Sequence, residues 1–179
     1  MDSVTGLLPI IIIILVIIFV IRYLSKAYFT QDQIVEQWTI LIGQGSGNAD
    51  DVYSVITDVL KSADPPGVTW SREDIHAGGL LYGKSYDGLR IFNPLLRDRK
   101  IYIFAYDYGT SLHVAWFMTF QKAFLRRVQR IDIPQQLELS AYAQTVHSAT
   151  KNAVQVLMEK LEQDFSKVNT RTKGFLEFW

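Results

Sequence analysis

From Ser3 to Ile21 the chain carries no charged residue, and Leu7 to Val20 is Ile, Leu, Val and Phe around a lone Pro9. A run of this kind suits lipid better than a soluble core, because β-branched residues fall on every face and no polar stripe interrupts them. A spanning helix needs about 20 predominantly apolar residues for a hydrocarbon core roughly 30 Å thick. Extended by Tyr23 and Leu24, the apolar run covers residues 7–24 and meets that length. Pro9 would lie in the first turn, where its missing N–H costs little. A cleaved leader would want a basic start and a small-x-small site. Asp2 and Ile21-Arg22-Tyr23-Leu24 supply neither. The expectation is a retained transmembrane anchor over 1–27, contacting the bilayer through residues 7–24.

Arg22 and Lys26 follow the apolar run and only Asp2 precedes it. Positive flanking charge stays on the cytoplasmic side, so the reading is a single-pass protein of the cell membrane. Its N-terminus lies outside and its domain in the cytoplasm. Tyr23, Tyr28 and Phe29 sit where interfacial aromatics belong.

What remains is enough for one domain, since the chain has 179 residues in all and domains average about 150. Hydrophobic residues make up 49% and charged residues 20%, a globular balance rather than a disordered one. Eighteen basic residues offset eighteen acidic ones, so there is no global field to draw the chain onto nucleic acid. Cysteine is absent, which removes disulfides, thiolate metal sites and cysteine nucleophiles together.

Thr30-Gln31-Asp32-Gln33 has capping-box spacing, and Ile34, Trp38 and Leu41 then recur at helical intervals up to Gly43. Residues 28–48 therefore read as a juxtamembrane helix followed by a Gly-rich linker, Gly43-Gln44-Gly45-Ser46-Gly47-Asn48. The glycines do not make a phosphate loop, for no Lys-Ser/Thr ending follows them. The domain proper is expected over 49–179. It opens with a helix from Ala49 to Ala63, whose Val52, Val55, Ile56, Val59 and Leu60 share a face. Asp64-Pro65-Pro66-Gly67 ends it.

Strand patterns follow over Val68–Arg72, Leu80–Tyr86, Leu89–Phe92, Lys100–Tyr106 and Leu112–Phe120. Asp87-Gly88 is a hairpin signal between two of them, and Asp107-Tyr108-Gly109-Thr110 is a second turn. A long helix from about Gln135 to Phe165 enters after Pro134 and carries Tyr142, Val146, Ala149, Ala153, Val156, Leu157 and Leu161 on one stripe. The fold class is α+β: a transmembrane helix, then an antiparallel β-meander sheet packed by a short N-terminal helix and a long C-terminal one.

Catalytic patterns are wanting. His76, His113 and His147 have no metal-type spacing, and there is no HExxH, GxSxG, Walker or dinucleotide motif. The expectation is a non-enzymatic chain without metal or cofactor. Two surfaces stand out. In Lys100–Tyr106, alternation sets Tyr102, Phe104 and Tyr106 opposite Ile101, Ile103 and Ala105. With Trp116 from the next strand, these rings are a candidate apolar pocket, set against plain core packing. Between Phe120 and Ile131 apolar residues repeat at helical spacing, with Lys122, Arg126, Arg127 and Arg130 beside them. That basic amphipathic segment is a candidate contact for anionic headgroups or an acidic protein partner, set against a solvated charged face. The aromatic tail Phe175-Leu176-Glu177-Phe178-Trp179 is expected to pack rather than hang free.

The leading expectation is an interaction or scaffold module at the membrane surface, open to assembly as a homo-oligomer. The alternative is a carrier of lipid or another apolar ligand. It draws on the way an antiparallel sheet ending in a long helix resembles helix-grip domains, which implies an enclosed apolar site.

Overall fold

The computed structural model describes residues 13–16, 28–29, 34–77, 84–96, 98–120 and 133–174. A seven-stranded sheet runs in the order β1-β3-β4-β5-β6-β2-β7. Its strands are β1 (Tyr28–Phe29), β2 (Ile34–Ile42), β3 (Thr69–Ala77), β4 (Lys84–Phe92), β5 (Arg99–Tyr108), β6 (Ser111–Phe120) and β7 (Lys173–Gly174). Six are mutually antiparallel, and β1 joins the β3 edge in parallel. Helix α1 (Ala49–Ala63) and helix α2 (Ile133–Lys160) pack on each other and against one sheet face. The α+β class with a long C-terminal helix is as expected. The anchor at 7–24 lies outside the described residues except for a helical turn at 13–16. Among the described residues no helix is long and apolar enough to cross a membrane.

Three local expectations fail for physical reasons. The helix expected between Thr30 and Gly43 is strand β2. Its inward set is Glu36, Trp38, Ile40 and Ile42, with Thr39 and Leu41 outward. Period two governs, but a charged residue at an inward position breaks the apolar alternation that would announce it. Glu36 is fully buried and accepts a hydrogen bond from Thr172 Oγ1. A register shift between Ile34 and Glu36, of bulge type, disturbs the pattern further.

The Gly-rich stretch is no flexible linker. Gly45 N–H bonds Ile42 O at 3.3 Å, Ser46 N–H bonds Thr110 O at 3.3 Å, and Gly47 N–H bonds the Asp107 carboxylate at 2.9 Å. A Cβ on Gly45 would lie 3.0 Å from Leu112 Cβ and 3.1 Å from Ile42 O. Glycine is needed there for close approach, not for looseness.

Asp87-Gly88 is not a hairpin either. It lies within β4, which runs unbroken from Lys84 to Phe92 and replaces two expected strands. Gly88 faces Phe104 across the ladder, and a Cβ there would meet Ile75 Cδ1 at 2.6 Å and Phe104 Cδ1 at 3.1 Å. Neighbouring side chains fill the space a glycine leaves in a strand. The other turn is as expected: Tyr108 pairs Ser111 across Gly109-Thr110.

The core between sheet and helices is dense. Leu89, Ile91, Ile101, Ile103, Val114, Trp116 and Met118 from the sheet meet Ile56 and Leu60 of α1 and Tyr142, Val146 and Leu157 of α2. Ala143, Ala149 and Ala153 let α2 approach closely. From Lys160 the chain doubles back beside β2: Gln163 Nε2 donates to Gly43 O, Trp38 Nε1 to Asn169 O at 2.7 Å, and β7 pairs Glu36 and Gln37. This covers an edge that would otherwise invite pairing.

The sheet cannot be flat. Phe29 sits at the level of Ala77 and Lys84 on one side, and Ile34 at the level of Thr119 on the other. Five strand spacings of about 4.8 Å and roughly 26 Å along the strands would separate these corners in a flat sheet. Only residues 30–33 join them, a reach of at most about 19 Å. The corners are therefore closer together than a flat sheet allows, so the sheet is twisted or bent along its width.

Candidate functional site

That second face is lined with rings. Successive strands bring Leu41, His113, Tyr106, Tyr86 and Ile75 into one transverse row, followed by Thr39, Ala115, Phe104 and Gly88, then Gln37, Phe117, Tyr102 and Arg90. Tyr106 lies 5.0 Å from His113 and 5.5 Å from Tyr86, centroid to centroid. Phe104 meets Tyr86 at 6.2 Å and Phe117 at 6.0 Å, both edge to face, the arrangement aromatic quadrupoles prefer. Along its middle Ile75, Tyr102, Phe104 and Ala115 are buried. Toward the β5–β6 hairpin the face opens, with Tyr106 36%, Leu41 54% and Tyr108 70% exposed.

Burial sets the protonation of this row. It pushes the Tyr102 phenol up to about 12 and raises Tyr106, where Tyr86 and Tyr108 add to the effect. Both phenols stay neutral and able to donate. Burial also lowers His113, whose Nδ1 is enclosed without a hydrogen-bond partner. Arg90 and Glu73 form an ion pair at 3.2 Å on the same face, deeper along the strands.

The open end coincides with a parting of strands. The β4–β5 ladder ends at the Gly88–Phe104 pair. Beyond it the Tyr53 hydroxyl enters from α1, accepting from Ala105 N–H at 2.8 Å and donating to Asp87 O at 3.0 Å. Burial pushes this phenol up to about 12, so it remains a bridging O–H. Asp87 in turn grips Arg72 Nε at 2.8 Å, Arg72 reaches Asp50 at 2.6 Å, and its guanidinium lies 4.8 Å from the Tyr53 ring centre. These contacts fix α1 to the point where β4 and β5 separate.

Of the pocket residues read from the sequence, Tyr102, Phe104 and Tyr106 share this face. Trp116 is on the other, fully buried among core residues and beside His147, ring centres 5.6 Å apart. The four residues of the candidate pocket are thus divided between the two faces of the sheet. Lys122, Arg126, Arg127, Arg130 and the aromatic tail lie outside the described residues. Of the histidines, His113 is on the ring face and His147 on the helix side. Among the described residues no three His, Cys, Asp or Glu side chains are grouped to hold a metal ion. Leu41, Tyr86, His113 and Phe117 were not read as site residues. Alternation on β6 would have located Phe117 and His113, whereas the helical reading of β2 and the hairpin reading of Asp87-Gly88 hid Leu41 and Tyr86. No protein-family model, curated protein or solved structure matches this chain.

Proposed function

We propose that the chain is a membrane-anchored, non-enzymatic interaction module. Residues 7–24 hold it in the cell membrane, the N-terminus outside and the α+β domain in the cytoplasm. The observation that carries the interaction reading is the ring row and its open end. Exposed tyrosines beside a buried aromatic cluster, with Leu41 at the margin, are the kind of surface that anchors a protein partner presenting apolar side chains. The anchor reading is supported by Ile13, Ile14, Leu15 and Val16, helical residues each 50–59% exposed, so that no side of that turn is packed on the domain.

The basic residues Lys122, Arg126, Arg127 and Arg130 belong to the connection between Phe120 and Ile133. Phe120 is about 30 Å along β6 from the hairpin end. On this reading they serve a second contact, with an acidic partner or anionic headgroups. The carrier reading keeps one specific support, since a sheet face lined with buried and half-exposed rings is a surface on which an apolar ligand can be held.

Native mass spectrometry of the full chain released from detergent micelles separates the two. A protein complex or oligomer that dissociates in the Tyr108→Ser variant supports the interaction module. A lipid or metabolite that stays on the monomer supports the carrier. An empty monomer would defeat both. The absence of native cysteine makes orientation testable with single substitutions. Ser3→Cys should react with an impermeant maleimide on intact cells, and Lys84→Cys only after permeabilisation. The reverse pattern would overturn the topology.

A further inference from the structure

The segment that doubles back beside β2 is held at three points by side chains from the body of the fold. Trp38 Nε1 donates to Asn169 O at 2.7 Å, His147 Nε2 lies 2.9 Å from Thr170 O, and Thr172 Oγ1 donates to Glu36. Because Thr170 O can only accept, Nε2 carries the proton and Nδ1 is the bare nitrogen. His147 is 1% exposed, and its Nδ1 has no partner. Its ring lies between two indoles, 5.4 Å from Trp38 and 5.6 Å from Trp116. The Trp116 N–H is likewise buried without a partner, and it is a donor rather than an acceptor. A proton arriving on Nδ1 would create a buried cation with nothing to receive its new N–H.

Of the elements around His147, α2, β2 and β6 are each committed along their length to helix or ladder bonds. The returning segment is held instead by its side-chain ties, by Phe165 and Val168 against the core, by a three-residue turn at Phe165–Lys167 and by the two residues of β7, with no long ladder or helix of its own. It is the cover that can lift to bring water to the imidazole. We propose that residues 163–174 form an acid-released strap: protonation of His147 detaches it from α2 and β2 and bares the Trp38 indole and the outer edge of β2.

The charges around this point are few. Lys151, one turn further along α2, adds to the cost of a second positive charge. Glu36 on β2 is the buried carboxylate under Thr172, Arg171 and Lys173 are exposed on the strap itself, and β6 offers only Trp116, Val114 and Met118. Burial is the main cause that lowers His147 from 6.5 to about 4. A lowered histidine is neutral when covered and takes up its proton when uncovered. The closed strap is therefore favoured fully above pH 6.5 and loses ground as pH falls toward 4.

Hydrogen exchange on the full chain in detergent micelles, corrected for the intrinsic pH dependence, tests this directly. Between pH 7 and pH 5 the protection of amides 168–174 should fall by about 20-fold, the factor that displacement from 6.5 to about 4 implies. Amides 139–158 of α2 should keep theirs. In His147→Gln, which can still donate to Thr170 O but takes no proton, the strap should hold over the same range. Strap protection that ignores pH in the native chain overturns the proposal. So does a His147→Gln strap that opens as the native one does, or a strap that opens only together with α2. If His147→Gln does not fold, Trp38→Phe removes the tie to Asn169 and keeps the imidazole. Its strap should be more open at pH 7 and still acid-sensitive, and an unchanged strap would equally count against the device.

Discussion

The two faces of the sheet bury their large side chains by different means, and the helix face buries many more of them. On the helix face, Ile101, Ile103, Val114, Trp116 and Met118 interlock with residues from α1 and α2, and aliphatic side chains dominate. On the ring face, Tyr102, Phe104 and Ile75 form a small buried cluster, and aromatic edges meet aromatic faces. The first face is closed along its length. The second grades from buried to exposed over two residues of one strand, from Phe104 at 6% to Tyr106 at 36%. A core of interlocking aliphatics ends where its helices end, whereas the ring face has a mouth at the β5–β6 hairpin, and there the proposed partner contact lies.

The comparison is broken most severely by Trp116→Ala. If the helix face is the main source of stability, losing this fully buried indole should cost about 4 kcal/mol in denaturant unfolding. A loss below 1 kcal/mol would mean the helices are held by something else. Tyr53→Phe tests the stitch between the faces. It leaves Ala105 N–H and Asp87 O without their bridging hydroxyl, for an expected loss of about 2 kcal/mol. It should also raise exchange at Ala105 more than at Ile103. Gly88→Ala probes the ring face, since the new methyl would press on Ile75 Cδ1 at a cost of about 1–3 kcal/mol. Trimming the neighbour in Gly88→Ala/Ile75→Val should recover part of that loss. An additive pair would show that the contact is not shared. The smallest effect on stability is expected at the mouth. Tyr108→Ser should change it by less than about 0.5 kcal/mol while abolishing the complex seen by native mass spectrometry. Unaltered binding would move the interaction site elsewhere.

What could be read from the residues alone divides along similar lines. Strands β5 and β6 alternate cleanly and α1 keeps its 3.6-residue face, so each was legible within a few residues. Strand β2 was not, because Glu36 occupies an inward position and its compensation by Thr172 lies 136 residues away. Strand β4 was misread because Asp87-Gly88 imitates a turn. The glycine is there for Ile75 and Phe104, a long-range demand that no local pattern carries. The ring site was half visible for the same reason: Tyr102, Phe104 and Tyr106 lie on a legible strand, while Leu41 and Tyr86 lie on the two that were not. His147 was passed over as an ordinary helix residue, since neither indole that encloses it is near in sequence.

The four-residue join between β1 and β2 has a mechanical consequence. Tension applied to the chain ahead of Tyr28 reaches the domain first through β1, whose two residues pair only at the edge of β3. Once β1 parts, the load passes to the start of β2. That strand is bonded to β6 through eight residue pairs and flanked by β7. The domain would thus yield in two stages, a weak early one at one corner and a strong later one at the diagonal corner. A pull along the chain would free the outermost strand well before it broke the core.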